Sequence, residues 1–237
     1  MKIKMIHSTK KDGNTSLKYD FDNTAITNRK AFFEKHNIPV ENTLVIQVKY
    51  RDSIVELDEI FLKNHPDLSK ETLETDAVVT KCPNIFLYLP FGDCIPLIVF
   101  DPDNHVFAFA HMGWQSTEMN LHIKILEYLK NHYGTNLADA EVFLGPSIKK
   151  ESYILKNPSQ LRHSSWTRFL NHIGNDCYEI DLNGYICNDL RNFGVSKINN
   201  SLVDTMIDYN YFSHYRVVYK NPTEVEGRFI CGAIMTQ

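Results

Sequence analysis

The chain holds 237 residues with 43% hydrophobic content and a formal net charge of −4, enough apolar material to bury one substantial core. That weakly acidic balance leaves no basic footprint for nucleic acid and no charged binding tail, and no segment approaches the roughly 18 uninterrupted apolar residues of a membrane span. Charges break the apolar stretch at residues 1–6, against a signal peptide. Five scattered cysteines form neither a disulfide framework nor a Cys-x-x-Cys zinc motif, so the expected setting is cytoplasmic.

In chain order, the first 22 residues mix short apolar runs with turn signals such as Asp12-Gly13-Asn14, which predicts edge strands and a loop. Thr24 stands where it would cap a helix reaching about His36, with Ile26, Phe33 and His36 near one face. Arg29 lies within it. Residues 44–48 are apolar enough for an inner strand, and Lys49-Tyr50-Arg51 leads to a short strand at 54–57. Polar residues 64–74 read as a surface loop. Strands are then expected from Asp76 to Thr80 and over residues 85–89.

Residues 93–117 organise the chain. Asp93-Cys94-Ile95-Pro96 opens an apolar run to Phe100, Asp101-Pro102-Asp103-Asn104 closes a hairpin, and a second run ends at His111-Met112-Gly113-Trp114-Gln115. An antiparallel pair would bring Cys94 and His111 to one end of the sheet. A thiol beside an imidazole and a glycine is a candidate reaction site. Ser116 or Thr117 would cap the next helix, running to about Tyr133 with Met119, Ile123, Leu126 and Leu129 on its stripe and Gly134 as its stop. Its N-terminal N–H groups would favour an anion near Cys94. Further on, residues 142–144 form a strand ending at Gly145-Pro146, and Trp166 and Phe169 fall in a short helix. Leu182, Ile186, Leu190 and Phe193 mark a helical core stripe ending at Gly194. Residues 212–219 and 229–235 complete the sheet. Strands and helices unevenly interleaved argue α+β.

Several short motifs in fixed order now carry a resemblance. Gln47-Val48-Lys49, Asp93-Cys94-Ile95-Pro96, His111-Met112-Gly113-Trp114-Gln115, Leu144-Gly145-Pro146-Ser147-Ile148, Tyr211-Phe212-Ser213-His214-Tyr215-Arg216 and Gly227-Arg228 resemble those of the YfiH-type laccase-domain family, also called polyphenol oxidase. The resemblance implies one layered α+β domain over residues 1–237, of a fold shared with Cys–His deamidating toxins. It implies phosphorolysis or adenosine deamination of purine nucleosides, with nucleoside and phosphate as ligands, no nucleic acid or membrane partner, and a homodimer as a compatible assembly. Mapped by motif, Cys94, His111 and Lys49 are the catalytic residues, and Cys94 and His111 the ligands of a zinc ion. Gln115, Arg29, Gly145, Arg216 and Arg228 fall on substrate-binding positions.

Two departures from the family pattern bear on chemistry. Lys49 stands where the family has its first histidine, which impairs a zinc site that needs three protein ligands. A lysine there would instead lower the pKa of the Cys94 thiol toward thiolate. Gln115 replaces an arginine suited to phosphate. Copper is not expected, since the clustered His and Cys ligands of a multicopper centre are missing. Two other readings follow: a nucleoside-binding homologue that has lost catalysis, and a metal-free Cys–His hydrolase or deamidase.

Overall fold

In the computed structural model, which describes residues 1–237, strands pair into two large sheets packed face to face. The five-stranded sheet runs in the order β1 (Lys2–His7), β14 (Phe229–Thr236), β6 (Phe86–Phe91), β2 (Thr43–Gln47), β4 (Thr72–Glu74). The six-stranded sheet runs β13 (Lys197–Asn200), β9 (Glu141–Leu144), β7 (Ile95–Asp101), β8 (Val106–Met112), β5 (Ala77–Thr80), β3 (Ile54–Leu57). A small third sheet holds β10 (Ile154–Lys156), β12 (Cys177–Ile180) and β11 (Leu170–Gly174). The fold is α+β.

The hairpin β7–β8 lies at the centre of the larger sheet because its residues are apolar on both faces, Asp101 at the turn and His111 near the open end excepted, and all of them are buried. Its turn closes as the composition predicts: the Asp101 carboxylate accepts hydrogen bonds from the backbone N–H groups of Asp103 and Asn104, each at 2.9 Å. Side-chain alternation then sorts its residues. Leu97, Val99, Ala108 and Ala110 pack beneath α4 (Leu121–Tyr133) and α5 (Leu182–Asn192), whereas Ile98, Phe100, Phe107 and Phe109 fill the space between the sheets with Leu87, Phe91 and Phe229. Helix α1 (Ala25–Lys35) covers the outer face of the smaller sheet through Phe32 and Phe33. No helix is long and apolar enough to cross a membrane.

Several expected elements differ. The helix after Gly113 is broken into α3 (Trp114–Glu118) and α4, because Asn120 takes a left-handed conformation at φ 59°. The buried stripe is therefore Leu121, Ile125, Leu126 and Leu129, and Met119 is exposed. Helix α1 turns Ala25, Arg29, Phe32 and Phe33 inward rather than Ile26, and its first N–H groups are capped by Asp20 instead of the Thr24 hydroxyl. Residues 64–74 are not all loop: they follow the helix α2 (Glu59–Asn64) and end in the edge strand β4. Residues 212–219 do not join a sheet. They form a turn and a π-helical segment, Arg216–Lys220, held by hydrogen bonds from Arg216 N to Ser213 Oγ and from Tyr215 N to Asp93.

Candidate functional site

Because β7 and β8 pair with Ile95 opposite Met112 and Pro96 opposite His111, Cys94 and His111 meet at the open end of the space between the sheets. His111 is the last inward-facing residue of β8, not a residue beyond it. Gly113 fixes the gap between them: a Cβ there would stand 3.4 Å from His111 Cε1 and 3.5 Å from Cys94 Sγ. The turn is locked by Ser116, whose hydroxyl accepts from Gly113 N at 2.9 Å and sits 3.2 Å from the His111 carbonyl. Around the pair lies a cavity of about 330 Å³, whose walls include Trp114, Gln115, Tyr153, Tyr215 and Tyr219.

Burial decides the charge state of both groups. The His111 ring is 6% exposed, stacked on Phe91 at 5.7 Å and met edge-on by Tyr50 at 5.7 Å. Its Nδ1 is buried without a partner. Desolvation takes its pKa down to about 4 against the opposing pull of Asp76, so the imidazole is neutral at pH 7. Desolvation likewise pushes the Cys94 thiol up to about 12, with the Asp93 carboxylate adding to the effect and Arg228 opposing it. The expected thiolate is thus corrected: Cys94 is a thiol near neutral pH. Asp93, its own pKa raised by burial, accepts from Thr205 Oγ1 at 2.7 Å and Tyr215 N at 2.6 Å, tying the cavity wall together.

Lys49 does not take the third corner. Asp76 accepts from Lys49 N at 3.0 Å and from Ser53 Oγ at 2.8 Å. The turn so fixed leaves the Lys49 side chain exposed and outside the cavity wall. Tyr50, at φ 58°, brings its ring to the cavity instead. A bulky residue held in the left-handed region is a strained feature that concentrates at functional sites.

The remaining expected residues divide. Gln115 lines the cavity, as does His214, an exposed side chain whose Nδ1 lies 2.6 Å from Glu226 at the mouth. Gly145 does not: it lies at a different hollow, where a Cβ would meet Met5 Sδ and Pro96 Cγ at 2.9 Å, so the glycine serves close packing. Arg216 is also structural. It is 1% exposed, and its guanidinium donates to Glu224 and to the carbonyls of Thr205, Met206 and Tyr211 at 2.6–2.9 Å. No donor is left to face a ligand. Arg29 and Arg228 line a neighbouring cavity that shares Tyr50. The aromatic wall contributed by Tyr50, Tyr153, Tyr215 and Tyr219 is absent from the sequence reading, since these residues come from three distant segments; the tyrosines flanking the His214 motif are its one local trace.

A resident zinc does not fit these residues. Cys94 and His111 supply two ligands, and no group of three His, Cys, Asp or Glu side chains suited to a metal forms in the chain, whereas a catalytic zinc takes three. A multicopper centre, which needs more, fits less well still.

Residues 8–236 match the model of the family described as multi-copper polyphenol oxidoreductase laccase. The purine nucleoside phosphorylase YlmD of Staphylococcus aureus is 29% identical over 127 residues, 52% of this chain and 47% of that protein. The corresponding YlmD of Bacillus subtilis is 34% identical over 79 residues, 33% of this chain and 28% of that one. The chain thus spans half or less of these relatives' length. Among solved structures, the Bacillus licheniformis hypothetical protein YfiH superposes with a TM-score of 0.85 at 21% identity, covering 99% of this chain and 93% of that chain, which establishes the fold.

Proposed function

The chain belongs to the multi-copper polyphenol oxidoreductase laccase family, and from that premise we propose that it cleaves purine nucleosides by phosphorolysis. The observation that carries this reading is the aromatic cavity around a neutral thiol–imidazole pair. A planar base suits tyrosine and tryptophan walls, and the unpaired Nδ1 of His111 offers a buried hydrogen-bond partner for its polar edge. In the reaction a phosphate oxygen bonds to the ribose carbon that carries the base. The glycosidic C–N bond breaks and its electron pair leaves with the base, which takes up a proton. Cys94 and Tyr153, both held protonated by burial, are the donors at hand for that proton. Adenosine deamination is the weaker variant, because it calls for an activated water and the residues fall one ligand short of the metal that would supply one.

Incubation of the purified protein with inosine and phosphate is expected to release hypoxanthine and ribose 1-phosphate, read by chromatography. Cys94→Ala should lower the rate by about 10²-fold or more, the scale of a lost proton-transfer group. Hypoxanthine release no faster than in Cys94→Ala overturns the proposal. A second reading, nucleoside binding without turnover, is favoured by the two-ligand site. It predicts an inosine-induced rise in melting temperature with no product. The thiol hydrolase reading loses support from the protonated state of Cys94.

A further inference from the structure

Lys149 stands outside the machinery described above, in the loop that follows β9. Its side chain is half-buried, and its amine donates to Ser147 Oγ at 3.0 Å, to Asn183 Oδ1 at 3.0 Å and to Asn200 Oδ1 at 3.5 Å. Ser147 and Asn183 are buried. All three acceptors are neutral. A lysine so enclosed ordinarily has a carboxylate partner, and the two carboxylates that face it are engaged elsewhere. Asp204 accepts from Ser152 Oγ at 2.6 Å and from Met206 N at 3.0 Å, and Asp181 accepts from Gly184 N at 2.7 Å as the cap of α5. With the Cys187 thiol they are the titratable groups around the amine. Burial outweighs their pull and brings the Lys149 pKa down to about 8.

A neutral amine is a nucleophile and an ammonium ion is not. At pH 7.5 an ordinary lysine side chain, with a pKa of about 10.4, leaves about one amine in a thousand unprotonated, whereas Lys149 leaves about a quarter. The amine is also close to solvent: Asn200, one of its three acceptors, is exposed and lines the open hollow of about 560 Å³ that contains Gly145. The class of reagent follows from what the surroundings accommodate after reaction. A neutral amide N–H keeps an acceptor in Asn183 or Ser147 and ends the cost of a buried charge. A newly formed anion would instead face Asp204 and Asp181.

From this cluster we propose that Lys149 is an acylation site, its amine taking a small acyl group from an activated donor, an acyl phosphate or an acyl thioester, by way of the hollow beside β13. The lone pair of Nζ attacks the carbonyl carbon of the donor and forms an amide bond. The bond from that carbon to the phosphate oxygen or the thioester sulfur breaks, its electron pair leaves with the phosphate or thiolate, and one N–H proton passes to solvent. The site stands apart from the phosphorolysis reading, and its test uses neither nucleoside nor turnover.

The folded protein is incubated at pH 7.5 with acetyl phosphate in one arm and acetyl-coenzyme A in the other. Acetylation at each lysine is quantified by peptide mass spectrometry, with the exposed Lys63 and Lys130 as internal standards. Lys149 is expected to react about fivefold faster than either standard, less than the ratio of free amines because nucleophilicity falls with basicity. The arm in which it reacts faster identifies the donor class. Its rate should level off above about pH 8, whereas the standards keep rising roughly tenfold per pH unit up to about pH 9.5. Asn183→Asp supplies the missing carboxylate, holds the amine as ammonium, and should slow Lys149 by about fivefold or more at pH 7.5 with the standards unchanged. The wild-type pH profile needs no variant and decides alone if Asn183→Asp fails to fold. Labelling of Lys149 no faster than of the standards in both arms, or a rate that climbs with theirs beyond pH 8, overturns the inference.

Discussion

At the scale of single residues, His111 is a group whose protonation is coupled to folding. Its folded pKa lies at about 4, below the 6.5 of a free imidazole side chain, because burial disfavours the imidazolium. Between those two values the unfolded chain binds a proton that the folded chain does not. Stability therefore rises with pH across that window and is lost as pH falls through it. Over pH 7 to 4.5 the loss attributable to this one ring is about 2–3 kcal/mol. Chemical denaturation at both pH values should show wild type losing that much more than His111→Asn, and matching losses would refute the buried neutral ring. Glu224 acts in a lower window. Held at about 2 chiefly by its bonds to Arg216, it contributes stability above its unfolded value of 4.5 that disappears as pH falls toward 2.

The element that shapes the site most is the turn between β2 and β3. Its geometry comes from Asp76, which lies across the sheet from it in sequence and gathers Lys49 N and Ser53 Oγ. The cost is Tyr50 at φ 58°, about 1–2 kcal/mol for an ordinary L residue. Asn tolerates that conformation better, so Tyr50→Asn is expected to leave the melting temperature equal or slightly raised while inosine binding weakens by tenfold or more. A fall of several degrees with binding intact would make Tyr50 a packing residue. This turn also shows where sequence reading stops. The β7–β8 hairpin was legible because apolar runs flank an Asp-Pro-Asp-Asn turn, and with it came Cys94, His111 and Gln115. Lys49 was placed at the site by motif alone, and a motif does not reveal which of two neighbouring side chains a left-handed residue swings inward. The same limit hid the segment 212–219: its Val217, Val218 and Tyr219 have strand propensity, but Asp93 and Ser213 hold its backbone in a helical turn. Strand β4, three residues with charged or polar neighbours, carries no periodic signal long enough to read.

For the whole molecule, the decisive fact is that β7 and β8 belong to two packed layers at once. Ala108 and Ala110 face the helices, and Phe107 and Phe109 face the second sheet. Neither layer can lose its partner without exposing one side of a strand whose other side is buried in the remaining layer, which couples the two layers energetically. Phe109 tests that coupling. Fully buried and edge-on to Phe91 at 6.4 Å, it touches the ring that in turn stacks on His111. Phe109→Ala should cost about 3–5 kcal/mol, a drop of roughly 6–20 °C in melting temperature for a chain of this size. Far-ultraviolet circular dichroism and intrinsic tryptophan fluorescence should still report one coincident transition in both proteins. Trp166 sits in the helix-facing core and Trp114 at the cavity, so fluorescence samples the helix layer and the site. Separation of the two probes in Phe109→Ala would mean that the helix layer survives without the second sheet. The site would then rest on a weaker scaffold than the doubly buried hairpin implies. A single shifted transition would mean that the His111 ring is held by the same packing that holds the whole chain.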